Sequence, residues 1–565
     1  MKKTKSRPET KTAAAVAEKS AIQWWPWALA LAALIVVFEA YSPALYGGFV
    51  LDDRTQPFAD PNMSHSIWGW VGNVRPLLMF SYWVDYKLSD GVTPFTFHVT
   101  NILLHFATSW LIVLIVAKLL EWAGVAGRSR TILAIFGGAL FLLHPLQTES
   151  VAYISSRSED LSVLLYFAAF AIFLYRGNES MTVLRAVAIV ALFGAAVLTK
   201  EHTLTLPALL LLTDFFWERG IRKNAVLYGL LAASAIGGAL FVMRALRMAD
   251  TAGFKVQGFT PVSYFFTQCR VIWTYVRMFV LPFGQNIDPD IATSQGPFDH
   301  GAILGLVALI AALAAAWIWR KRFPLASFGV LVFLLLLAPT STIIPIRDPL
   351  AEHRLYLPFL GLLLIALEFL RRLNSEQLIW TGVALIAVCT VLTYQRSEVW
   401  ESPLTLWQDT VAKSPDKYRP QFQLAYALQY DENNCQQAVP HYEKAGQIGP
   451  VDDQLLVDWG LALDCVGRPD DAVAKLKAAA LYRPTAHVYS QIGMVYAKQG
   501  RMPEALAALD QAEKTDPGYA MIYIYRGQIF EKGGDRTGAV REYQRALMAD
   551  PTNAIATQAL ARARR

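Results

Sequence analysis

Five short polar clusters interrupt an otherwise apolar chain: Asp52-Asp53-Arg54, His144-Pro145-Leu146-Gln147-Thr148-Glu149, Ser158-Glu159-Asp160, Lys200-Glu201-His202 and Glu352-His353-Arg354. Adjacent carboxylates at a membrane face are costly to hold without a role. One of Asp52 and Asp53 suits a general base that deprotonates an acceptor hydroxyl. The other suits orienting that hydroxyl or binding a metal. The Arg354 guanidinium matches a phosphate oxygen bidentately. Arg270 and Arg277, seven residues apart and so on one helical face, are further phosphate candidates. Any one of these groups read alone is a helix cap or a snorkelling side chain. Five clusters gathered at one rim read instead as a single site for a polar, anionic headgroup. His98 and His105 sit on an apolar stretch and read as hydrogen-bonded packing residues.

Apolar stretches must position these clusters. They run near residues 22–46, 97–120, 131–146, 159–175, 182–199, 202–217, 224–246, 264–283, 301–319, 325–344, 354–370 and 377–395. Residues 75–90 carry Asp85 and Lys87 and read as an interfacial helix. The basic clusters are the N-terminal tail, Arg128/Arg130, Arg176/Arg185, Arg219/Arg222/Lys223, Arg320/Lys321/Arg322 and Arg371/Arg372. All fall on the cytoplasmic side when one segment between residues 246 and 301 does not cross. The 264–283 stretch holds Arg270 and Arg277, so eleven crossings are expected, with 264–283 interfacial or re-entrant. The five clusters and the C-terminal part then share the extracytoplasmic face.

Composition agrees with two kinds of domain. The 565-residue chain is 54% hydrophobic and 17% charged, with a polar last third, which fits a membrane domain joined to a soluble one. Much of the net charge of +6 lies in the tail and short loops, where it reports orientation and not a nucleic-acid partner. Cys269 and Cys389 read as packing residues, while Cys435 and Cys465 could pair if their domain faces an oxidising compartment. No P-loop, GxGxxG, GxSxG, HExxH or zinc spacing occurs.

The soluble part repeats. Tyr489, Ile492, Gly493, Tyr496, Ala505, Leu509, Ala512 and Pro517 are echoed by Tyr523, Gly527, Phe530, Ala539, Tyr543, Ala546 and Pro551. An earlier copy reads Leu456, Gly460, Leu463, Ala472, Leu476, Ala479, Pro484, and a degenerate one ends Ala438, Tyr442, Ala445, Pro450. This is the tetratricopeptide period, a helix-turn-helix whose stacked copies present a groove for extended peptide.

The chain resembles the transmembrane and tetratricopeptide-repeat O-mannosyltransferases and their bacterial relatives, within the polytopic GT-C glycosyltransferases. The resemblance is carried by "GFVLDDR" within 47–54, "NVRPLLMFSYWVDY" (73–86) and "PFTFHVTNILLHF" (94–106). It continues through "LFLLHPLQTESVAYISSRSEDL" (140–161), "LTKEHTLTLPALLLL" (198–212) and "LAPTSTIIPIRDPLAEHRLYLPFLG" (337–361), then the repeats. Gln147 stands where the family pattern has a second histidine, and "SSRSEDL" replaces a Gly-Arg-Ala-Asp type sequence. The resemblance implies transfer of a sugar, a mannose-like hexose, from a polyprenyl- or dolichyl-phosphate carrier to an acceptor hydroxyl, with Asp52 or Asp53 as base.

The expected architecture is all-α: a polytopic GT-C type membrane helix bundle of about eleven spans, followed by a tetratricopeptide-repeat α-solenoid. Its expected divisions are a cytoplasmic basic tail (1–21), a catalytic membrane domain (22–396) and an extracytoplasmic domain of about four repeats (397–565). Donor phosphate and sugar are assigned to Arg75, His144, Glu149, Arg157, Glu159, Asp160, Lys200, Glu201, His202, Arg270, Arg277, Glu352, His353 and Arg354. A protein or peptide acceptor is assigned to the repeat groove, including Tyr489, Tyr496 and Tyr523. The acidic pair leaves room for a divalent cation, Mg or Mn. Membrane lipids are further partners, and nucleic acid is not one. Two rival readings are a membrane-anchored repeat scaffold without catalysis and a lipid-linked oligosaccharide ligase. An anchor does not need Asp52 and Asp53, whereas a ligase would spare protein hydroxyls.

Overall fold

The computed structural model describes residues 25–59, 66–72, 75–89, 93–176, 181–248 and 252–565; the expected basic tail lies outside the described residues. Among these residues every regular element is a helix, and one isolated antiparallel bridge joins Ala252 and Ile346. A large apolar core joins the N-terminal helices and includes Val37, Ile115, Phe141, Phe167, Leu209, Phe328 and Leu363.

Four described helices are long and apolar enough to cross a membrane: Pro94–Trp122, Ile221–Leu240, Asp299–Ile318 and Ser375–Glu398. Two more spans arise if each bent pair counts as one, Trp25–Ala40 with Ser42–Thr55 (61°) and Gly127–Leu143 with Pro145–Ala152 (47°). Pro43 and Pro145 open the second member of each pair, where a missing N–H and a ring clash break the helical ladder. The acidic pair and the His144–Glu149 cluster both follow such a break, so the bends set polar groups at the ends of the apolar helices Trp25–Ala40 and Gly127–Leu143. Val183–Val197, Pro324–Leu337 and Phe359–Leu370 are apolar but have 15, 14 and 12 residues. At about 1.5 Å rise per residue they are shorter than a roughly 30 Å hydrocarbon layer. The helix Pro261–Val280, which carries Arg270 and Arg277, is not among those that can cross by length and composition.

Local chemistry sets the ends of the longest helix. Pro94 begins it, where its lacking N–H costs no hydrogen bond. Gly124 closes it at φ +79°, with the Val125 amide donating back to the Leu120 carbonyl.

From Pro403 onward paired helices stack into a solenoid. Ala472, Leu476 and Ala479, Ala505, Leu509 and Ala512, and Ala539, Tyr543 and Ala546 are all fully buried. Glycine is required where the paired helices touch: a Cβ at Gly493 would lie 2.8 Å from Leu509, and one at Gly527 2.5 Å from Tyr543. Cys435 and Cys465 form a disulfide between consecutive repeats. The solenoid core does not stop at the first repeat. Ala44, Val50, Tyr153, Ile287 and Trp400 pack into the same cluster as Trp407, Phe422 and Leu428.

Candidate functional site

The loop after the first break holds Asp52 and Asp53 on a short turn, Leu51–Thr55, that starts from an unusual backbone. Leu51 has φ +47°, a left-handed conformation that a branched side chain adopts only when its surroundings impose it. The turn separates the two acids. Asp53 is 1% exposed, and its oxygens accept from the Ser155 amide (2.8 Å), the Ser155 hydroxyl and the Val50 amide (3.2 Å). Burial, outweighing those donors, pushes its pKa up from 3.8 to about 7. Asp52 is exposed, and its backbone amide donates to the Tyr153 hydroxyl at 3.0 Å. Arg54, two residues on, lies over the Tyr426 ring of the first repeat and pairs with Asp431.

Glu149 is buried and organises a second group. It accepts from the Glu352 and His353 amides at 2.9 and 3.3 Å and holds His353 Nδ1 at 2.6 Å. Glu352 is fully buried; the Asn286 amide (2.6 Å) and the Gln285 side-chain amide (3.0 Å) donate to it, with Arg396 3.9 Å away. Its burial raises its pKa against the pull of Arg396. Arg354 follows, with Nη1 buried and lacking an acceptor, beside Tyr264 and Tyr275. A cation with an unused donor, flanked by phenols, suits an oxyanion.

A third group forms where the Lys200 hairpin meets the first turn of the helix Arg157–Leu174. Lys200 Nζ pairs with Glu159 at 2.7 Å and donates to the Ser158 hydroxyl, while His202 approaches Glu159 at 3.3 Å. Arg75 and Glu201 form a two-bond pair (2.8 and 3.1 Å). Asp160 is fully buried and neighbours Tyr356 and Tyr41.

Other assigned residues have structural work. Arg157 is fully buried. It pairs with Asp85 at 2.6 Å, donates to Asn101 and to the Ser81 and Phe97 carbonyls, and lies over the Tyr82 ring. It has little left to offer a donor. His144 accepts the Leu146 amide at Nδ1 and donates from Nε2 to the Phe279 carbonyl, so it braces a bend. Arg270 binds Ala292 and Ser294, and Arg277 binds the Phe283 carbonyl, so both tether the loop that follows them. His98 bonds the Gly47 carbonyl, and His105 bonds Tyr356 and the Leu142 carbonyl, as packing residues would. In the solenoid, Tyr496 and Tyr523 are buried between helices and Tyr489 is half-buried, so the first two serve packing more than an open groove. Among the described residues no three His, Cys, Asp or Glu side chains converge as metal ligands.

Sequence reasoning missed Tyr153 and Ser155, which hold the acidic turn, although both sit inside the 140–161 motif. It also missed Gln285, Asn286 and Ser414, whose spacing carries no signal.

An integral membrane helix bundle joined to a repeat solenoid, with buried carboxylates and cations where they meet, is the class that fold and site define. The tetratricopeptide repeat model matches residues 457–520 and 490–554. The chain is 22% identical to protein O-mannosyl-transferase TMTC3 of Mus musculus, covering 92% of this chain and 63% of that protein. It is 25% identical to protein O-mannosyl-transferase F38B6.6 of Caenorhabditis elegans, covering 73% and 62%. A solved structure, a thermophilic TPR protein of Thermus thermophilus, is 21% identical over 34% of this chain and 98% of its own, with TM-score 0.26. The resemblance to the transmembrane and tetratricopeptide-repeat O-mannosyl-transferases therefore extends along nearly the whole chain, which spans somewhat under two thirds of these relatives' length.

Proposed function

We propose that the protein is a GT-C type glycosyltransferase that moves mannose from a polyprenyl-phosphate carrier to a Ser or Thr hydroxyl of a protein acceptor. The hydroxyl oxygen attacks the anomeric carbon as the bond from that carbon to the phosphate oxygen breaks. The electron pair leaves with the lipid phosphate, and the hydroxyl proton passes to a carboxylate. One displacement of this kind inverts the anomeric centre.

The observation that carries the reading is the division of labour in the acidic pair. Asp53 is filled by three donors, which suits an anchor for the turn, while Asp52 projects from the same turn with an exposed carboxylate. Asp52 is therefore the base in this proposal, and Asp53 positions it. Arg354, with its unused buried N–H, meets the departing phosphate, while His353, held by Glu149, and Lys200, held by Glu159, supply further donors to the donor headgroup. Glu159, Glu201 and Asp160 hold the cations and the sugar hydroxyls.

The disulfide between Cys435 and Cys465 supports an oxidising, extracytoplasmic setting for the repeats, and the site touches them. Eleven crossings, a cytoplasmic N-terminus and a bacterial inner membrane complete the proposal, with 22–396 as the catalytic domain and 397–565 as the acceptor-binding domain.

The test uses purified protein, radiolabelled polyprenyl-phosphate mannose and a soluble Ser/Thr peptide. Asp52→Asn is expected to lower transfer about 10²- to 10⁴-fold, the usual weight of a general base. Label arriving equally with wild type and Asp52→Asn removes Asp52 from catalysis, and label on glycan alone favours the ligase.

A further inference from the structure

We infer that the first turn of the solenoid is a positioning element of the transfer site: Ser414, with Lys413, Lys417 and Arg419, clamps the 285–290 loop that holds Glu352 and, through it, His353. The inference deepens the function proposed above and rests on that reading of His353.

The contacts form a continuous path. Ser414 is 2% exposed, and its hydroxyl accepts from the Asn286 side-chain amide (2.9 Å) and the Asp290 backbone amide (3.2 Å). Lys413 Nζ donates to the Gln285 carbonyl at 2.7 Å. Lys417 pairs with Asp288 and donates to the Pro289 carbonyl. Arg419 reaches Asp348 with two nitrogens, at 2.7 and 3.3 Å, so it grips the stretch of chain that leads into Glu352. From the loop, Gln285 and the Asn286 amide bind the two Glu352 oxygens, and the amides of Glu352 and His353 bind Glu149.

The residues of the 285–290 loop have no regular secondary structure of their own. Besides the Gln285 side-chain amide's bond to the Pro145 carbonyl (2.7 Å) and an internal bond from the Asp288 amide to Asn286, its hydrogen bonds run to the solenoid on one side and to Glu352 on the other. A loop held this way transmits its position. Displacing its solenoid contacts releases the Asn286 amide from Glu352, and the His353 ring loses the backbone that orients it. The repeats that would capture the acceptor therefore also set the geometry of the donor site.

Ser414→Ala removes the shared acceptor and leaves the buried Asn286 side-chain amide and the part-buried Asp290 amide without it, whereas Ser414→Thr keeps the hydroxyl. With a short peptide acceptor, Ser414→Ala is expected to lower kcat about 10- to 100-fold with little change in the KM for donor, as for a misplaced catalytic group. Ser414→Thr is expected to restore most of it. In hydrogen exchange, the amides of Asn286, Glu352 and His353 are expected to exchange faster in Ser414→Ala and at the wild-type rate in Ser414→Thr. Faster exchange confined to residues near 414, or equal loss of kcat in both variants, overturns the clamp. Absence of transfer in the wild type overturns the function proposed above instead, and the exchange result then decides the clamp alone.

Discussion

Charge is used in opposite ways at the membrane rim and on the exposed surface of the distal repeats. At the rim, Arg157 and Asp85 are both sealed from water, and Glu149, Glu352 and Asp53 are buried among backbone donors. In the repeats, Arg468–Asp471 and Arg501–Glu504 are exposed pairs three residues apart on one helix. A buried charge that loses its partner stays out of water at a cost of several kcal/mol, while an exposed one is simply rehydrated. The rim therefore has one permitted arrangement, and the solenoid surface has many. The distal helices also seal an ion pair, Arg526 with Glu542, so the contrast lies between the rim and the exposed face of the solenoid.

The sharpest way to break this contrast is Arg157→Met. It strands Asp85 and removes the bonds to Asn101 and the Ser81 and Phe97 carbonyls. A loss of about 3–5 kcal/mol is expected, measurable as thermal unfolding in detergent. An equal substitution cost at Arg501 would abolish the distinction between the two regions.

A second test titrates Asp53. Its folded pKa of about 7 exceeds the ordinary 3.8, so the folded state holds the proton more tightly. The contribution to stability is fully present below about pH 4 and is lost as pH rises through about 7. Transfer follows the opposite slope, because only the ionised carboxylate uses all three donors from Ser155 and Val50. Activity is expected to fall about tenfold per pH unit below that point. Asp53→Asn is expected to flatten the limb; a wild-type limb near pH 4 assigns the titration elsewhere.

The smallest effect belongs to Arg501→Gln, which removes the exposed pair with Glu504. Thermal unfolding in detergent and the rate of transfer are both expected to stay at the wild-type level, because the freed Glu504 is already in water.

Much of the architecture was legible because its signals are local. Apolar runs, the prolines at the bends and the 34-residue spacing of Gly493 and Gly527 each constrain a helix or a pair of neighbours. The polar clusters were legible for a related reason: charged residues between apolar segments stand out one by one. Span number was less legible. Several apolar runs form helices of only 11 to 16 residues, because buried packing and membrane crossing both favour the same side chains.

Composition and periodicity by themselves determined a helical membrane protein with a repeat solenoid and a polar rim. Only the tertiary structure decided which rim residues are free to act. Asp53 is filled by Ser155, 102 positions away; Arg157 is consumed by Asp85; and Glu352 depends on a loop tied to Ser414. Hydrogen-bond partners so far apart leave no periodic trace, since their spacing is set by how the helices pack and not by the turn of any one of them.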